Sequence, residues 1–291
     1  MKKWIWIALI LIGITACDGD NTAVSSPTVR DIQVALVNLE ITPGQTRFAV
    51  GLLDSDQQLI HDAEVSFEYF DLSDPDNPVT EQTVTAVRRQ TTDGFTTIFT
   101  HLRSFERAGT WGLQVNATFP DNSVAQQRIA FEVITEAKSL PVGFAAPVVD
   151  TPTGSSVNGD LAKISSAFDP VPEFYEMSLQ DALDNGRSTI LYFSTPAFCQ
   201  TRLCGPGYEE LATYYEEAAN EYNFIHVEAF SGLPDPSETG WPLASAMVAF
   251  GLATEPWLYI IDESGTVVYR IEGLFTAAEL SETLPQVLND R

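Results

Sequence analysis

The chain has 291 residues, a length that allows two domains of ordinary size. Its formal net charge is −25 at pH 7, which excludes an electrostatic basis for binding nucleic acid, or an anionic lipid surface, through the folded part.

The N-terminus has the pattern of a bacterial export signal. Lys2 and Lys3 precede an apolar run from Trp4 to Ile14 that is too short for a stable membrane span. The run leads into Thr15-Ala16-Cys17, and the whole ending resembles the lipobox of bacterial lipoproteins. The resemblance implies a signal peptide at residues 1–16, lipidation of Cys17, and anchoring to the cell membrane outside the cytoplasm. In the competing interpretation, an ordinary signal peptide is cleaved and Cys17 is an unused thiol.

Residues 17–30 are small and polar and predict a flexible tether. Residues 31–135 contain short alternating apolar runs separated by turn residues, which predict an antiparallel β-sandwich of about seven strands. Two segments, Val50–Asp54 and Ala108–Val115, resemble the immunoglobulin-like modules of bacterial envelope proteins, and we expect a spacer or docking module. The expected strands are Asp31–Val37, Arg47–Leu53, Glu64–Phe70, Thr83–Arg89, Phe95–Leu102, Trp111–Thr118 and Ala125–Ile134.

Prolines, glycines and small polar residues recur through residues 136–167, including Pro141, Pro147 and Pro152. This composition predicts a linker that is semi-extended at the prolines and loose elsewhere. We expect it to let the last part of the chain search for partners.

Residues 168–291 predict the element order β-α-β-α-β-β-α, after a short helix capped by Ser178. Thr276 and Glu279 have the spacing of a capping box at the start of the last helix. The expected strands are Thr189–Phe193, Asn223–Ala229, Trp257–Ile261 and Thr266–Ile271, and the expected helices are 206–222, 242–250 and one from Thr276.

Cys199 and Cys204 lie between the first of these strands and a helix expected to begin at Pro206. Unpaired amides and the helix dipole favour a thiolate at such a helix start. This arrangement, with Pro256 directly before the hairpin, resembles the thioredoxin fold over residues 168–291. The resemblance implies an α/β fold, a redox pair formed by Cys199 and Cys204, and a cis bond before Pro256. An ordinary trans proline in a turn is the competing interpretation.

The spacing Cys-x4-Cys departs from the usual Cys-x-x-Cys, so two alignments compete. Counted from the strand, Cys199 is the exposed nucleophile. Counted from the local sequence, Cys204-Gly-Pro-Gly207 matches Cys-Gly-Pro-Cys with glycine in place of the second cysteine. We prefer the second alignment because Cys204 adjoins the free amides of the helix and Arg202 is the nearby cation. The expected catalytic residues are Cys199, Cys204, Arg202 and Pro256.

Two related families offer alternatives. A Cys-x4-Cys pair resembles a subclass of peroxiredoxins, but Pro196 stands where that family needs threonine or serine. Copper chaperones of the same fold use two cysteines and a histidine, so Cys199, Cys204 and His226 are weak metal candidates. A core histidine that hydrogen-bonds Glu228 is the competing interpretation of His226. We otherwise expect neither a metal nor a cofactor.

The function expected from these resemblances is that of a membrane-anchored, extracytoplasmic thioredoxin-like protein. It would be a thiol-disulfide oxidoreductase that exchanges disulfides with envelope or secreted proteins through Cys199 and Cys204. Nucleic acid is not an expected partner. The alternative from a different class is a non-catalytic binding module in which the same disulfide only pins a loop.

Overall fold

The computed structural model describes residues 27–199, 203–235 and 240–289. The predicted signal peptide, Cys17 and Arg202 lie outside the described residues. The described part is mostly β-sheet, with three sheets and four short to medium α-helices. None of the helices in these ranges has both the length and the apolar character that crossing a membrane requires.

The first ten strands form two sheets. The larger has the order β1-β10-β9-β4-β5, with β6 also paired to β4, and the smaller has the order β2-β3-β8-β7. The strands are β1 (Val29–Arg30), β2 (Gln33–Leu36), β3 (Gly44–Leu53), β4 (Glu64–Asp71), β5 (Val79–Thr80), β6 (Val84–Thr85), β7 (Val87–Gln90), β8 (Thr97–Phe105), β9 (Gly109–Thr118) and β10 (Val124–Val133).

Aromatic side chains from both sheets fill the space between them. Phe48 of β3 contacts Phe131 of β10, with ring centroids 4.9 Å apart, and Phe67, Tyr69 and Phe105 are buried in the same cluster. The predicted all-β first part is therefore present, because alternation along each strand sends one apolar face into this core.

One predicted strand is wrong in detail. The run Thr83–Arg89 is not a single strand: β6 pairs with β4 in the larger sheet, whereas β7 pairs with β8 in the smaller one. Ala86, between them, is buried. The chain changes sheets at this residue, and a sequence pattern of period two does not show which partner each half will take.

The last part of the chain has the predicted element order. A four-stranded sheet of order β12-β11-β13-β14 is covered by helices, and β11 pairs parallel with β12 and antiparallel with β13. Every residue of β11 and β12 is buried, including the polar Asn223, His226 and Glu228 of β12, which is typical of strands covered on both faces. The elements are α1 (Leu179–Asp184), β11 (Thr189–Ser194), α2 (Cys204–Ala218), β12 (Asn223–Glu228), α3 (Ser245–Ala249), β13 (Trp257–Ile261), β14 (Val267–Glu272) and α4 (Ala277–Asn289).

The connecting segment, residues 136–167, is not the loose linker that its composition suggests. Ala145 forms a β-bridge with Thr266, and the Leu140 amide donates to the Phe250 carbonyl at 2.9 Å. Thr151 Oγ1 accepts a hydrogen bond from the Leu179 amide at 2.9 Å. Prolines and glycines indicate an irregular backbone, but they do not show whether its amide and carbonyl groups form hydrogen bonds with the rest of the protein. In this segment several of them do.

The outer face of the smaller sheet packs against the last part of the chain. Arg47 of β3 pairs with Glu279 of α4, with Nη2 2.7 Å from Oε2, and also donates to the Leu274 carbonyl at 2.9 Å. Beside this pair, Ala49, Ile98 and Leu274 form a small apolar cluster. The two parts are therefore held together by a buried contact, which corrects the expectation that the last part searches freely for partners.

Candidate functional site

Cys199 and Cys204 form a disulfide, with their Cα atoms 5.9 Å apart. The disulfide implied by the sequence is thus confirmed. Beyond β11, the amides of Phe198 and Cys199 both donate to the Thr195 carbonyl, at 3.2 and 3.1 Å, so the chain turns directly into the first cysteine. Cys204 is the first residue of α2, which begins two positions before the expected Pro206.

Three strand ends meet at this disulfide. Ser194, the last residue of β11, is paired with Glu228 of β12, and Phe193 is paired with Trp257, the first residue of β13. Glu255 precedes β13 by two residues. Its carboxylate and the two cysteine sulfurs place their donor atoms within 4.8 Å of one another. The Glu255–Pro256 bond is cis, as the resemblance implies.

Two carboxyl groups at this edge, the buried Glu228 and the partly buried Glu255, have no ion-pair partner in the described part of the chain. Burial, followed by the charge of Glu228, raises the pKa of Glu255 to about 8. Burial also raises the pKa of Glu228 to about 7, against hydrogen bonds from Thr195 and Ser166. Within the described ranges, Glu255 Oε2 and Glu228 Oε1 have no hydrogen-bond partner. The charged form of both carboxyl groups is therefore disfavoured next to the disulfide.

Ser166 connects Glu228 to the loop that carries Cys199. Its amide donates to Glu228 Oε2 at 2.7 Å, and its hydroxyl accepts from the Ala197 amide at 3.2 Å. Its hydroxyl also lies 3.3 Å from Thr195 Oγ1. Sequence reasoning missed Ser166, since a serine at the end of a segment rich in proline and glycine carries no signal of its own.

Glu255 was also missed as a site residue, although a signal existed. It directly precedes Pro256, which the resemblance already places beside the cysteines. A carboxylate is an unusual side chain to place in a partly buried position unless something pairs with it.

His226 belongs to the core and not to the cysteine site. Its Nδ1 is 2.7 Å from the Tyr175 hydroxyl and its Nε2 is 2.9 Å from the Ser194 hydroxyl, so both ring nitrogens are engaged. Burial lowers the pKa of His226 to about 3, which keeps the ring neutral. The core interpretation was right, but the hydrogen-bond partners are Tyr175 and Ser194 and not Glu228.

Gly207 occupies the place of the second cysteine in the alignment with Cys-Gly-Pro-Cys. A Cβ atom at this position would overlap the Tyr192 hydroxyl, which donates to the Cys204 carbonyl at 3.3 Å. Tyr192 is fully buried beneath the first turn of α2. Glycine is therefore required here by the tyrosine below it.

The two cysteines differ in exposure. Cys204 is completely buried, whereas Cys199 is partly exposed. Next to Cys199, the Phe198 ring is 48% exposed and lies against Trp241, with centroids 4.6 Å apart. This burial argues against the preference for Cys204 as the attacking thiol, because a partner cannot reach its sulfur without displacing Cys199.

Comparisons with known proteins add little to this geometry. No protein family and no curated protein matches the chain. Among solved structures, superoxide reductase (neelaredoxin) from Ignicoccus hospitalis is 13% identical, with a TM-score of 0.22, over 35% of this chain and 80% of its own. The sensor domain of the anti-sigma factor RsgI4 in Pseudobacteroides cellulosolvens is 16% identical, with a TM-score of 0.20, over 38% of this chain and 99% of its own. Similarities this weak carry no argument about fold or function.

Proposed function

We propose that this protein exchanges disulfides with other proteins through Cys199 and Cys204. A thiolate of the partner attacks the Cys199 sulfur, the Cys199–Cys204 bond breaks, and Cys204 leaves as a thiolate that takes up a proton. The partner's second thiol then attacks the mixed disulfide and releases Cys199. In total the partner loses two electrons and two protons, which this protein gains, and the reverse sequence oxidises this protein again.

The difference in exposure between the two sulfurs carries the proposal. A disulfide with one partly exposed member can form a mixed disulfide, and a buried second cysteine is well placed to resolve it. The half-exposed Phe198 beside Cys199 offers an apolar contact for a partner's backbone or side chains.

The partners we propose are envelope or secreted proteins that carry thiols or disulfides. This part of the proposal depends on the N-terminal resemblance to lipoproteins, since disulfides persist outside the cytoplasm. We further propose a thioredoxin-like fold for residues 168–291 and an immunoglobulin-like module for residues 31–135. Replacement of Cys17 by Ser should release the protein from membranes or halt its processing; an unchanged membrane fraction and mass would reject the lipid anchor.

The reduction potential tests the exchange activity. Equilibration of the full chain with dithiol redox buffers should place the Cys199–Cys204 couple above about −300 mV, where catalytic pairs lie. The C204S variant, whose Cys199 is a free thiol, should in addition trap a mixed disulfide with a disulfide-containing test protein, because its attack breaks the test protein's disulfide and releases one of that protein's thiols.

The complete burial of Cys204 also favours a second candidate, a binding module in which the disulfide only pins the loop to α2. That candidate predicts a potential below about −300 mV and no trapped complex. The C199S variant, which leaves only the buried thiol, is the matched control and should trap little in either case.

A further inference from the structure

The donor atoms around the disulfide form a set that suits a metal ion once the cysteines are reduced. The two sulfurs and a carboxylate oxygen of Glu255 lie within 4.8 Å of one another. These three residues come from two separate places in the chain: Cys199 and Cys204 from the loop and first residue of α2, and Glu255 from the segment before β13. The fold, and not local sequence, therefore brings them together.

The Glu255 carboxyl group accepts a hydrogen bond from the Thr195 backbone, but one of its two oxygens is left over. Its Oε2 is buried and has no hydrogen-bond partner among the described residues. A buried carboxylate oxygen without a partner is unfavourable, and a cation is the partner that would satisfy it best. A second carboxylate, Glu228, stands at the same edge of the sheet, opposite Ser194, and adds negative potential there.

We propose that the reduced protein binds one Zn²⁺ through Cys199, Cys204 and Glu255, and that disulfide formation abolishes this site. Binding gives a zinc dithiolate and releases the two thiol protons, together with the proton of the Glu255 carboxyl group where that group is protonated, with Glu255 as the third ligand and water at the fourth position. Three protein ligands and an open position are typical of accessible zinc sites. The partly exposed Cys199 provides the route of entry.

The geometry agrees with this metal. A tetrahedral centre with Zn–S bonds of about 2.3 Å needs sulfurs about 3.8 Å apart. Rotation of the side chains across a Cα separation of 5.9 Å can provide that spacing. The oxygen ligand favours Zn²⁺ over Cu⁺, which prefers an all-sulfur environment. His226 cannot join the set in this arrangement, because Tyr175 and Ser194 hold both of its nitrogens.

The zinc site rests on the proposed function in one respect only: the Cys199–Cys204 disulfide must be reducible. A phosphine reductant is therefore used in the test, because it opens the disulfide without any exchange partner. Failure of the trapping experiment would then reject exchange and leave the metal site standing, whereas failure of metal binding would leave exchange untouched.

Zinc affinity of the full chain is measured by competition with a chromophoric chelator, and Co²⁺ is used as a spectroscopic probe. The reduced protein should bind one ion and the oxidised protein none at this site. Cobalt should give sulfur-to-metal charge-transfer absorption and intense tetrahedral visible bands, which disordered thiols in an unfolded chain would not give.

Two isosteric variants identify the oxygen ligand. E255Q should weaken zinc binding by at least about tenfold and alter the cobalt bands. E228Q, the matched control at the same sheet edge, should change affinity less than about threefold, since it removes charge but no ligand. Absence of binding by the reduced protein, or equal affinity of E255Q and wild type, would overturn the proposal. Equal losses in E255Q and E228Q would also overturn it, because they would indicate a general charge effect.

Discussion

Arg47 and Glu279 form a buried ion pair between the β-sandwich and the last helix, although 232 positions separate them in the chain. Their side chains are 6% and 4% exposed. A second contact, from Arg47 to the Leu274 carbonyl, fixes the guanidinium in place. The orientation of the sandwich relative to the four-stranded sheet is thus determined in part by a single arginine.

Removal of Arg47 should destabilise the whole protein. R47M leaves Glu279 buried with only the more distant Arg89, whose Nε is 4.0 Å away, and should cost about 3 kcal/mol of unfolding free energy. R30M, which breaks the exposed pair with Asp121, should cost less than about 1 kcal/mol. Denaturant unfolding measures both. A loss from R47M no larger than that from R30M would show that this pair does not hold the two parts together.

Stability should fall as the pH rises from about 5 to about 7, in part because of Glu272. Burial raises the pKa of Glu272 from 4.5 to about 7, although the Leu39 and Glu40 amides donate to its Oε2. The folded state therefore binds more protons than the unfolded state between these values, so unfolding free energy decreases through this interval and levels off above it.

The E272Q variant should have a flatter pH profile of unfolding free energy than the wild type, because glutamine does not ionise. Glu228 and Glu255, whose pKa values are also raised by burial, contribute a slope of the same sign that remains in the variant. Replacement of the exposed Glu64 by glutamine is the control. An E272Q profile parallel to that of the wild type would contradict the assignment.

Gly207 should not tolerate a side chain. An added methyl group would overlap Tyr192, with the Tyr192 Cζ atom only 3.0 Å away, so G207A should lose about 1–3 kcal/mol of stability. G205A in the same turn meets only the Pro196 carbonyl at 3.5 Å and should be neutral or slightly stabilising. The double variant G207A/Y192F should lose less than the sum of its single changes. Additive losses would mean that the tyrosine hydroxyl is not the obstacle.

Cys199 should be alkylated before Cys204 in the reduced, folded protein, since only Cys199 is partly exposed. Brief treatment with iodoacetamide followed by peptide mapping gives the order. Faster labelling of Cys204 would restore the original alignment, in which the amides at the start of α2 and Arg202 activate that thiol.

Most strands and helices could be predicted from short sequence patterns, because apolar runs and capping residues act on neighbouring positions in the chain. The apolar run of β11 and the capping Ser178 of α1 are correct, and Asp181 completes the capping box at Ser178. The second predicted box is only half formed: Thr276 Oγ1 accepts from the Glu279 amide, but the Glu279 carboxylate pairs with Arg47 instead. The Glu279 carboxylate forms the long-range ion pair in place of the local hydrogen bond to the Thr276 backbone. No residue near Glu279 in the sequence indicates that ion pair.

The site was predictable to a similar extent. The cysteine pair and the position of Pro256 follow from the sequence, because strand, turn and helix signals surround them. The role of Ser166 and the hydrogen bonds of His226 could not be predicted, because each depends on a contact between residues at least 30 positions apart in the chain. The start of α2 at Cys204 was missed because Pro206 is a strong start signal, yet proline is also tolerated later in the first turn.

Because residues 136–167 pack against the last part of the chain, that part cannot be separated as a module at residue 168. A cut before residue 168 would leave Thr266 without its bridge to Ala145 and would remove the serine that links Glu228 to the cysteine loop. The piece that can be transplanted into another protein with its disulfide site intact therefore begins near Ser139, whose buried side chain contacts Arg270 of β14 as well as Glu40 of the first part. In a designed fusion, the segment should therefore be moved together with the disulfide, at the cost of its hydrogen bonds to Glu40 in the first part.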